Sequence, residues 1–326
     1  MPLLALPLHA RSQDLQQGTE AVPLLETVVV TGKVAGPGMW RVEHGDNTLW
    51  ILGTVTPVPR DIQWDSTEAL ATLADAGQVL WSPRFSVSVD GNSFAKATLA
   101  MGAFNAQRNP DGRTLEQVLD PQVHARWQRL RQRYLPRQRG LDRKRPLVVA
   151  GELYRAALRR HGLDPASIVT STLSTAAREQ DITSVTPRHV LQLSTAQARA
   201  LIKDTRAADL HDQACLEATM DLIEHALPQL ITTANAWANG EVERIDTTSS
   251  SARQKECLDA FGNSDVLAGH GIPDIRRTLA ALWLEQAEAA LRSRRSTLAV
   301  MSIDALAGAD GYLEALARRG YTIHSP

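Results

Sequence analysis

Two apolar runs at opposite ends of the sequence constrain the fold more than any other feature. Residues 49–52 form a short run of the buried-strand type that stops at Gly53, and residues 297–303 form a second run of the same kind. Short apolar runs bounded by turn residues are typical of strands inside a sheet. The sequence therefore predicts one sheet built from both ends of the chain, with a polar crevice where residues 53–59 leave the first strand.

Local patterns divide the chain into three parts. Residues 36–91 carry a strand, strand, helix, strand pattern, in which a turn at residues 44–47 joins the first two strands as a hairpin. Residues 92–295 have helical periodicity with hardly any strand signal, and residues 296–323 return to strand, helix and strand. We predict an α/β (α+β) fold in a single domain over residues 36–323. A small mixed sheet of N- and C-terminal strands would carry a large helical insertion.

Finer signals predict individual elements within these parts. Alternating apolar residues at Phe85, Val87 and Val89 predict a fourth strand after the one at residues 78–81. An apolar seam over residues 216–237 predicts one long helix, which Pro228 should bend. Residues 194–197 (STAQ) have the sequence of a capping box and predict the start of another helix.

The composition is that of a globular protein without a bulk charge. Of 326 residues, 43% are hydrophobic, and 35 basic residues nearly balance 36 acidic ones. Such a chain can bury a sizeable core, while its net charge of -1 argues against nucleic-acid or membrane-surface binding through bulk positive potential. No apolar run approaches the roughly 20 residues that a membrane-spanning helix needs. We therefore expect no integral membrane segment in the mature chain.

The N-terminus resembles the end of an export signal. Residues 1–10 are apolar and finish at Ala10, a small residue suited to cleavage, after which the chain turns polar. We expect a signal-peptide remnant and a disordered leader over residues 1–25, in a periplasmic or secreted protein of a Gram-negative bacterium. A frayed terminus that is merely rich in leucine is the alternative.

A β-branched segment follows the leader, within residues 26–35. It begins at Glu26 and runs through three valines to Thr31 and Gly32. An ordinary N-terminal edge strand is one interpretation. The segment also resembles the TonB box of TonB-dependent outer-membrane receptors, an extended stretch that is captured by strand addition. It therefore supports a second hypothesis, an envelope protein partner that binds residues 26–31.

Cys215 and Cys257 are the only two cysteines. In an exported protein such a pair favours a disulfide, and closing a loop of this length would restrict the unfolded chain by roughly 3 to 4 kcal/mol. The alternative is two buried free thiols in separate helices, since a sequence gives no distance between them.

Four segments of the chain carry a resemblance to a known family: residues 36–42 (GPGMWRV), 49–54 (LWILGT), 234–240 (ANAWANG) and 310–321 (DGYLEALARRGY). They resemble the TraB/PrgY/GumN family, which is related to the Tiki metalloproteases and to erythromycin esterase and ChaN-like proteins. The resemblance spans roughly residues 36–323. It implies an α/β core with a helical insertion.

The chemistry that this resemblance implies depends on two Gly-x-x-His motifs, one after an early strand and one after a late strand, with an acidic residue nearby. Two imidazoles and a carboxylate can hold a divalent metal and leave a position open for an activated water. In this chain Thr56 and Asp304 occupy the two histidine positions, and no Gly-x-x-His occurs in the sequence. A neutral hydroxyl is a poor zinc ligand beside imidazole. We therefore expect the metal site to be degenerate and no metal cofactor to be bound.

Other catalytic patterns are weaker. No histidine has the His-x-x-x-His spacing of a ligand pair, and His270, between two glycines, lies either in a plain surface loop or in one that approaches a ligand. The chain has no Gly-x-Ser-x-Gly elbow, Walker loop or Gly-x-Gly-x-x-Gly motif. A hydroxyl nucleophile at Thr54 or Thr56 is a minor alternative.

Three hypotheses follow for the function. The leading one is a non-catalytic envelope protein that binds a small molecule or peptide in a crevice formed by Gly53, Thr54, Thr56, Ser302 and Asp304. The second is a divergent metal-dependent hydrolase or peptidase, in which Thr56, Asp304 and a distant carboxylate such as Glu152 bind Mg²⁺ or Mn²⁺. The third is an envelope adaptor that engages TonB-type machinery through residues 26–31.

Overall fold

The two apolar runs of the sequence become parallel neighbours at the centre of a sheet. The computed structural model describes residues 36–208, 210–262, 265–308 and 310–326. In it, strand β2 (Asn47–Thr54) pairs in parallel with strand β9 (Ser296–Ser302), so that Gly53 lies opposite Met301 and Thr54 opposite Ser302. The predicted leader over residues 1–25 and the segment over residues 26–35 lie outside the described residues.

The central sheet has six strands in the order β10-β1-β2-β9-β4-β7. β1 is antiparallel to both of its neighbours, whereas β2, β9, β4 and β7 run parallel to one another. Two further two-stranded sheets pair β3 with β6 and β5 with β8. Besides β2 and β9, the strands are β1 (Met39–His44), β3 (Val58–Pro59), β4 (Gln78–Trp81), β5 (Arg84–Val89), β6 (Leu163–Asp164), β7 (Thr183–Val185), β8 (Arg188–Leu193) and β10 (Thr322–His324).

Helices make up most of the remaining described chain, and none of those described is long and apolar enough to cross a bilayer. They are α1 (Thr67–Asp75), α2 (Ser93–Ala106), α3 (Leu115–Val118), α4 (Pro121–Tyr134), α5 (Pro146–Arg160), α6 (Ile168–Glu179), α7 (Thr195–Ala207), α8 (Gln213–Asp221), α9 (Leu227–Ala238), α10 (Thr248–Gly262), α11 (Asp265–Gly269), α12 (Ile275–Ser293), α13 (Ile303–Leu306) and α14 (Tyr312–Ala317).

This architecture confirms the predicted α/β class, with sheet strands from both ends of the chain and a helical region between them. Two details of the prediction are corrected. The strand over residues 84–89 forms as expected, but it pairs with β8 rather than joining the central sheet. Residues 92–295 also contain strands. Among them, β7 extends the central sheet and β8 pairs with β5.

The long helix predicted over residues 216–237 forms as a continuous helical run over residues 213–238 that contains one π-helical turn. A π-helical turn, Leu222–Ala226, separates α8 from α9, and Pro228 lies in the first turn of α9. Proline has no backbone N–H and clashes with the carbonyl one turn before it, so the regular helical ladder cannot continue through this point. The π-helical turn thus lies directly before Pro228, where the sequence predicts a bend.

The described chain has two large apolar cores, which meet along α9. The helical core is built from α4, α5, α8 and the start of α9, and the α/β core is built from the central sheet with α1, α6, α12 and the end of α9. Helix α9 therefore contributes to both, with Leu227 and Leu230 in the helical core and Ala234 and Trp237 in the α/β core.

Gly53 is the point where the α/β core leaves no room for a side chain. A Cβ at this position would lie 2.6 Å from Ile303 Cγ1 and 2.6 Å from Trp40 Cζ3. Both of these side chains are buried. The Gly53 carbonyl accepts a 2.8 Å hydrogen bond from the buried indole Nε1 of Trp237. The absence of a side chain therefore lets β1, α13 and α9 converge on the end of β2.

A disulfide between Cys215 and Cys257 joins α8 to α10. The two Cα atoms are 4.5 Å apart and the residues are separated by 42 positions. Cys215 is fully buried in the helical core. The disulfide therefore attaches α10 covalently to the helical core.

Adding one methyl group at Gly53 should destabilise the fold. We expect Gly53→Ala to lower the free energy of unfolding by about 1 to 3 kcal/mol, because Ile303 and the Trp40 ring must move to admit the new Cβ. Urea denaturation followed by tryptophan fluorescence would measure this change. Gly77→Ala is the matched control, because the nearest atom to its new Cβ is a flexible arginine nitrogen 3.5 Å away. Equal stability of the two variants would contradict this account.

Removing the disulfide should also destabilise the chain. We expect replacement of both cysteines by alanine to lower the free energy of unfolding by about 3 to 4 kcal/mol, because the unfolded chain regains the entropy of a closed loop. The control is wild-type protein with its disulfide reduced, which should unfold at nearly the urea concentration of the double variant. Oxidised wild type and double variant unfolding together would refute the role assigned to this bond.

Candidate functional site

A polar pocket opens at the carboxyl-terminal edge of the central sheet. Strands β2, β9 and β4 are parallel and adjacent, so their last residues meet at this edge. Thr54, Ser302 and Trp81 end the three strands and line the pocket, which has a volume of about 540 Å³. Open α/β sheets place ligands at the carboxyl ends of their strands, and the volume is that of an ordinary small-molecule site.

Three other parts of the fold form the walls. Helix α6 presents one face to the pocket, because Thr170 and Ser174 are four residues apart and Ser167 is the residue that caps the helix. The connections that leave β4 and β7 provide the opposite wall. The remaining lining residues are Thr56, Ser82, Pro83, Arg84, Pro165, Thr186, Arg188 and Val300.

Hydroxyl groups dominate this lining. Eight of the fourteen lining side chains are serine or threonine. Three of them donate to backbone carbonyls: Thr54 Oγ1 to Met301 O at 3.3 Å, Ser82 Oγ to Val300 O at 3.1 Å and Ser174 Oγ to Ser171 O at 3.3 Å. Ser167 Oγ accepts from the Thr170 amide.

The other four hydroxyls are available to a ligand. Within the described part of the chain, the hydroxyls of Thr56, Thr170, Thr186 and Ser302 make no hydrogen bond. A hydroxyl can donate one hydrogen bond and accept two. The pocket therefore offers several polar contacts whose geometry a bound molecule would set.

Of the five residues that the sequence predicts for the crevice, three line the pocket, one lies behind it and one lies outside it. Thr54, Thr56 and Ser302 line the pocket together, and Gly53 lies directly behind Thr54 in β2. Asp304 is not among the described residues that line it. Its carboxylate accepts a 2.7 Å hydrogen bond from Ser251 of α10, on the side of α13 that faces the helical region.

The surroundings of Asp304 are those of a packed interface. The Arg253 guanidinium lies 3.8 Å from the centre of the Tyr154 ring. Burial raises the pKa of the Tyr154 phenol; the Arg253 charge lowers this pKa and the Asp304 carboxylate raises it. Burial lowers the pKa of Arg253. Asp304 therefore lies near the Tyr154 phenol and Ser251, at the junction of α13 with α5 and α10.

Other residues considered as metal ligands lie elsewhere. Glu152 forms an ion pair with Arg155 on the same helix, at 2.8 Å. His270 Nε2 contacts the Asp204 carboxylate at 2.9 Å. Among the described residues one group of three, Asp221, Glu224 and His225, is close enough to hold an ion. Arg126 already hydrogen-bonds both of its carboxylates at 2.6 Å, so a cation there would have to displace an arginine.

The donors of the strand-end pocket do not fit a transition metal. Its described lining contains no imidazole, thiolate or carboxylate, the side chains that bind zinc and manganese in proteins. Neutral hydroxyls and two arginines are what the pocket offers.

Sequence reasoning missed most of the pocket walls. Ser167, Thr170 and Ser174 share one helix face that borders the site, and a hydroxyl stripe at this spacing was a readable signal. Thr186 and Arg188 follow a three-residue strand that the sequence pattern did not reveal. Their place in the site depends on the pairing of β7 with β4 and of β8 with β5, which tertiary contacts determine.

The sequence matches a known protein family over nearly its whole length. Residues 38–325 match the TraB/PrgY/gumN family. A search of curated proteins gives no match, and neither does a search of solved structures. The family match covers nearly the whole chain, including residues 38–42 of the first segment that carries the resemblance, the other three segments in full and every residue of the strand-end pocket. The chain belongs to the TraB/PrgY/gumN family.

Proposed function

We propose that this protein is an exported, non-catalytic binding protein of the bacterial envelope, whose ligand occupies the strand-end pocket without a metal. The observation that carries the proposal is the chemistry of the lining. Eight hydroxyls and two guanidinium groups surround a cavity of about 540 Å³ in which no described side chain is a carboxylate, an imidazole or a thiolate. Such a lining suits hydrogen bonding to a polar molecule and lacks a general base of the usual kinds.

The degenerate metal site is part of this proposal. Thr56 stands at the first histidine position of the family motif and keeps its place at the pocket rim. Asp304 stands at the second, but its carboxylate is engaged by Ser251. An altered-ligand hydrolase would need Thr56 and Asp304 to share one ion, and the hydrogen bond to Ser251 draws Asp304 toward the helical region instead.

Export is supported by two independent features. The apolar N-terminus that finishes at Ala10 has the character of an export signal. The disulfide between Cys215 and Cys257 is of a kind that persists in oxidising compartments such as the periplasm. Binding of an envelope partner through residues 26–31 is a separate proposal that depends on the sequence alone.

Metal analysis tests the proposal directly. We expect the full chain, purified without chelator and dialysed against Zn²⁺ or Mn²⁺, to retain far less than one ion per molecule, because the pocket offers no anionic or imidazole donors. Inductively coupled plasma mass spectrometry would measure this content. Thr56→Ala and Asp304→Ala should leave it unchanged. Stoichiometric metal that falls in both variants would establish the altered-ligand hydrolase instead.

Asp304 should act as a structural residue. We expect Asp304→Ala and Ser251→Ala each to lower the free energy of unfolding by about 1 kcal/mol, because each removes one partly buried hydrogen bond to a charged group. The free energy of unfolding of the double variant should lie within a few tenths of a kcal/mol of that of either single variant. Urea denaturation of the four proteins measures this coupling. Full additivity would show that the two residues do not act together.

A further inference from the structure

Two arginines enter the strand-end pocket side by side. Arg84 and Arg188 are the first residues of β5 and β8, and these parallel strands pair with Arg84 opposite Arg188. The next pair, Phe85 and His189, faces the opposite side of the ribbon, where the two rings stack 5.9 Å apart. Because side chains alternate along a strand, the register directs both guanidinium groups to the same face, and both line the pocket.

No carboxylate balances this pair of charges. Within the described residues neither Arg84 nor Arg188 forms an ion pair, although arginines elsewhere, such as Arg126 and Arg131, do. Like charges directly opposite one another across a strand pair destabilise it. An anionic ligand would therefore relieve the repulsion between these two exposed guanidinium groups.

The remaining lining points to the same sign of ligand charge. Ser167 caps α6 and lines the pocket, so the positive end of this twelve-residue helix borders the cavity. The hydroxyls of Thr186 and Thr170 are free to donate to an oxygen atom. Arginine binds carboxylate and phosphate through two parallel N–H donors, which gives directional as well as electrostatic recognition.

We infer that Arg84 and Arg188 together bind an oxyanion, a carboxylate or phosphate group of the pocket's ligand. The inference builds on the proposed function and adds the chemical class of the ligand to it. A free inorganic ion would fill only part of a cavity of about 540 Å³. The ligand is thus a small polar molecule whose acidic group meets the two arginines while its body contacts the free hydroxyls.

Two probes distinguish the sources of the oxyanion: citrate carries carboxylates and pyrophosphate carries phosphates. Isothermal titration calorimetry on the full chain should detect binding of at least one probe, with an affinity that falls as salt is added. Arg84→Gln and Arg188→Gln should each weaken this binding about tenfold or more, because each removes a charged, two-donor contact. Arg84→Lys and Arg188→Lys should lie between these variants and wild type, since lysine keeps the charge but not the planar pair of donors.

Arg292→Gln is the matched control, because Arg292 is an exposed arginine on α12 outside the pocket. Its probe affinity should equal that of wild type. Thermal denaturation provides a check on folding: without a probe the glutamine variants should melt at or above the wild-type temperature. The probe should raise the melting temperature of wild type and Arg292→Gln by more than that of the glutamine variants.

The possible results separate this inference from the proposed function. Failure of both probes to bind at millimolar concentration, or binding that Arg84→Gln and Arg188→Gln leave unchanged, would overturn the inference and leave the metal-free binding protein untouched. Stoichiometric metal in a protein whose anion binding still depends on both arginines would overturn the proposed function alone.

Discussion

The hydrogen bond from the Trp237 indole to the Gly53 carbonyl fixes the relation between the helical region and the sheet. Both groups are buried, so an unpaired partner on either side would carry the full cost of desolvation. Gly53 has no side chain, and the ring of Trp40 and the side chain of Ile303 fill the space that its Cβ would need. Trp64 packs against the same indole, with ring centres 5.8 Å apart. The family segments that are distant in sequence thus meet at one point, immediately behind the pocket.

Helix α9 transmits this constraint to the rest of the molecule. Its first turns belong to the helical core and its last turn to the α/β core, so the two cores share one rigid element. The disulfide from Cys215 holds α10 to α8, and Ser251 of α10 binds Asp304 just after the central strand β9. Together these contacts attach the helical region to the end of β9. Asp304 contributes to the site by supporting this junction, and the pocket itself is formed by other residues.

The sequence predicted those parts of the fold that local patterns determine. The buried strands at residues 49–54 and 296–302 were readable from their apolar runs, and the helix start at Ser194 from its capping box. Strands β7 and β8 were not, because one has only three residues and the other mixes exposed polar and apolar positions. Their pairing with β4 and β5 spans about a hundred residues and depends on tertiary contacts that no local pattern encodes.

The same distinction explains what was found of the site. Thr54, Thr56 and Ser302 follow strand ends, and parallel pairing brings such residues together by a general rule. Asp304 follows β9 as well, but α13 begins at Ile303 and carries the aspartate around to α10. Spacing along the chain could not predict this rotation. Arg84 and Arg188 become neighbours only through the register of β5 and β8, so their joint role required the structure.

The charge of the pocket explains why this edge of the sheet cannot bind both a divalent cation and an oxyanion. A divalent cation needs donors that carry negative charge or a strong lone pair, and two nearby guanidinium groups without a carboxylate would repel it. The same two charges attract an oxyanion. The arginine pair is therefore consistent with the proposal that this pocket binds no metal. Under the proposed function, the charge of this pocket favours an anionic ligand over a divalent cation.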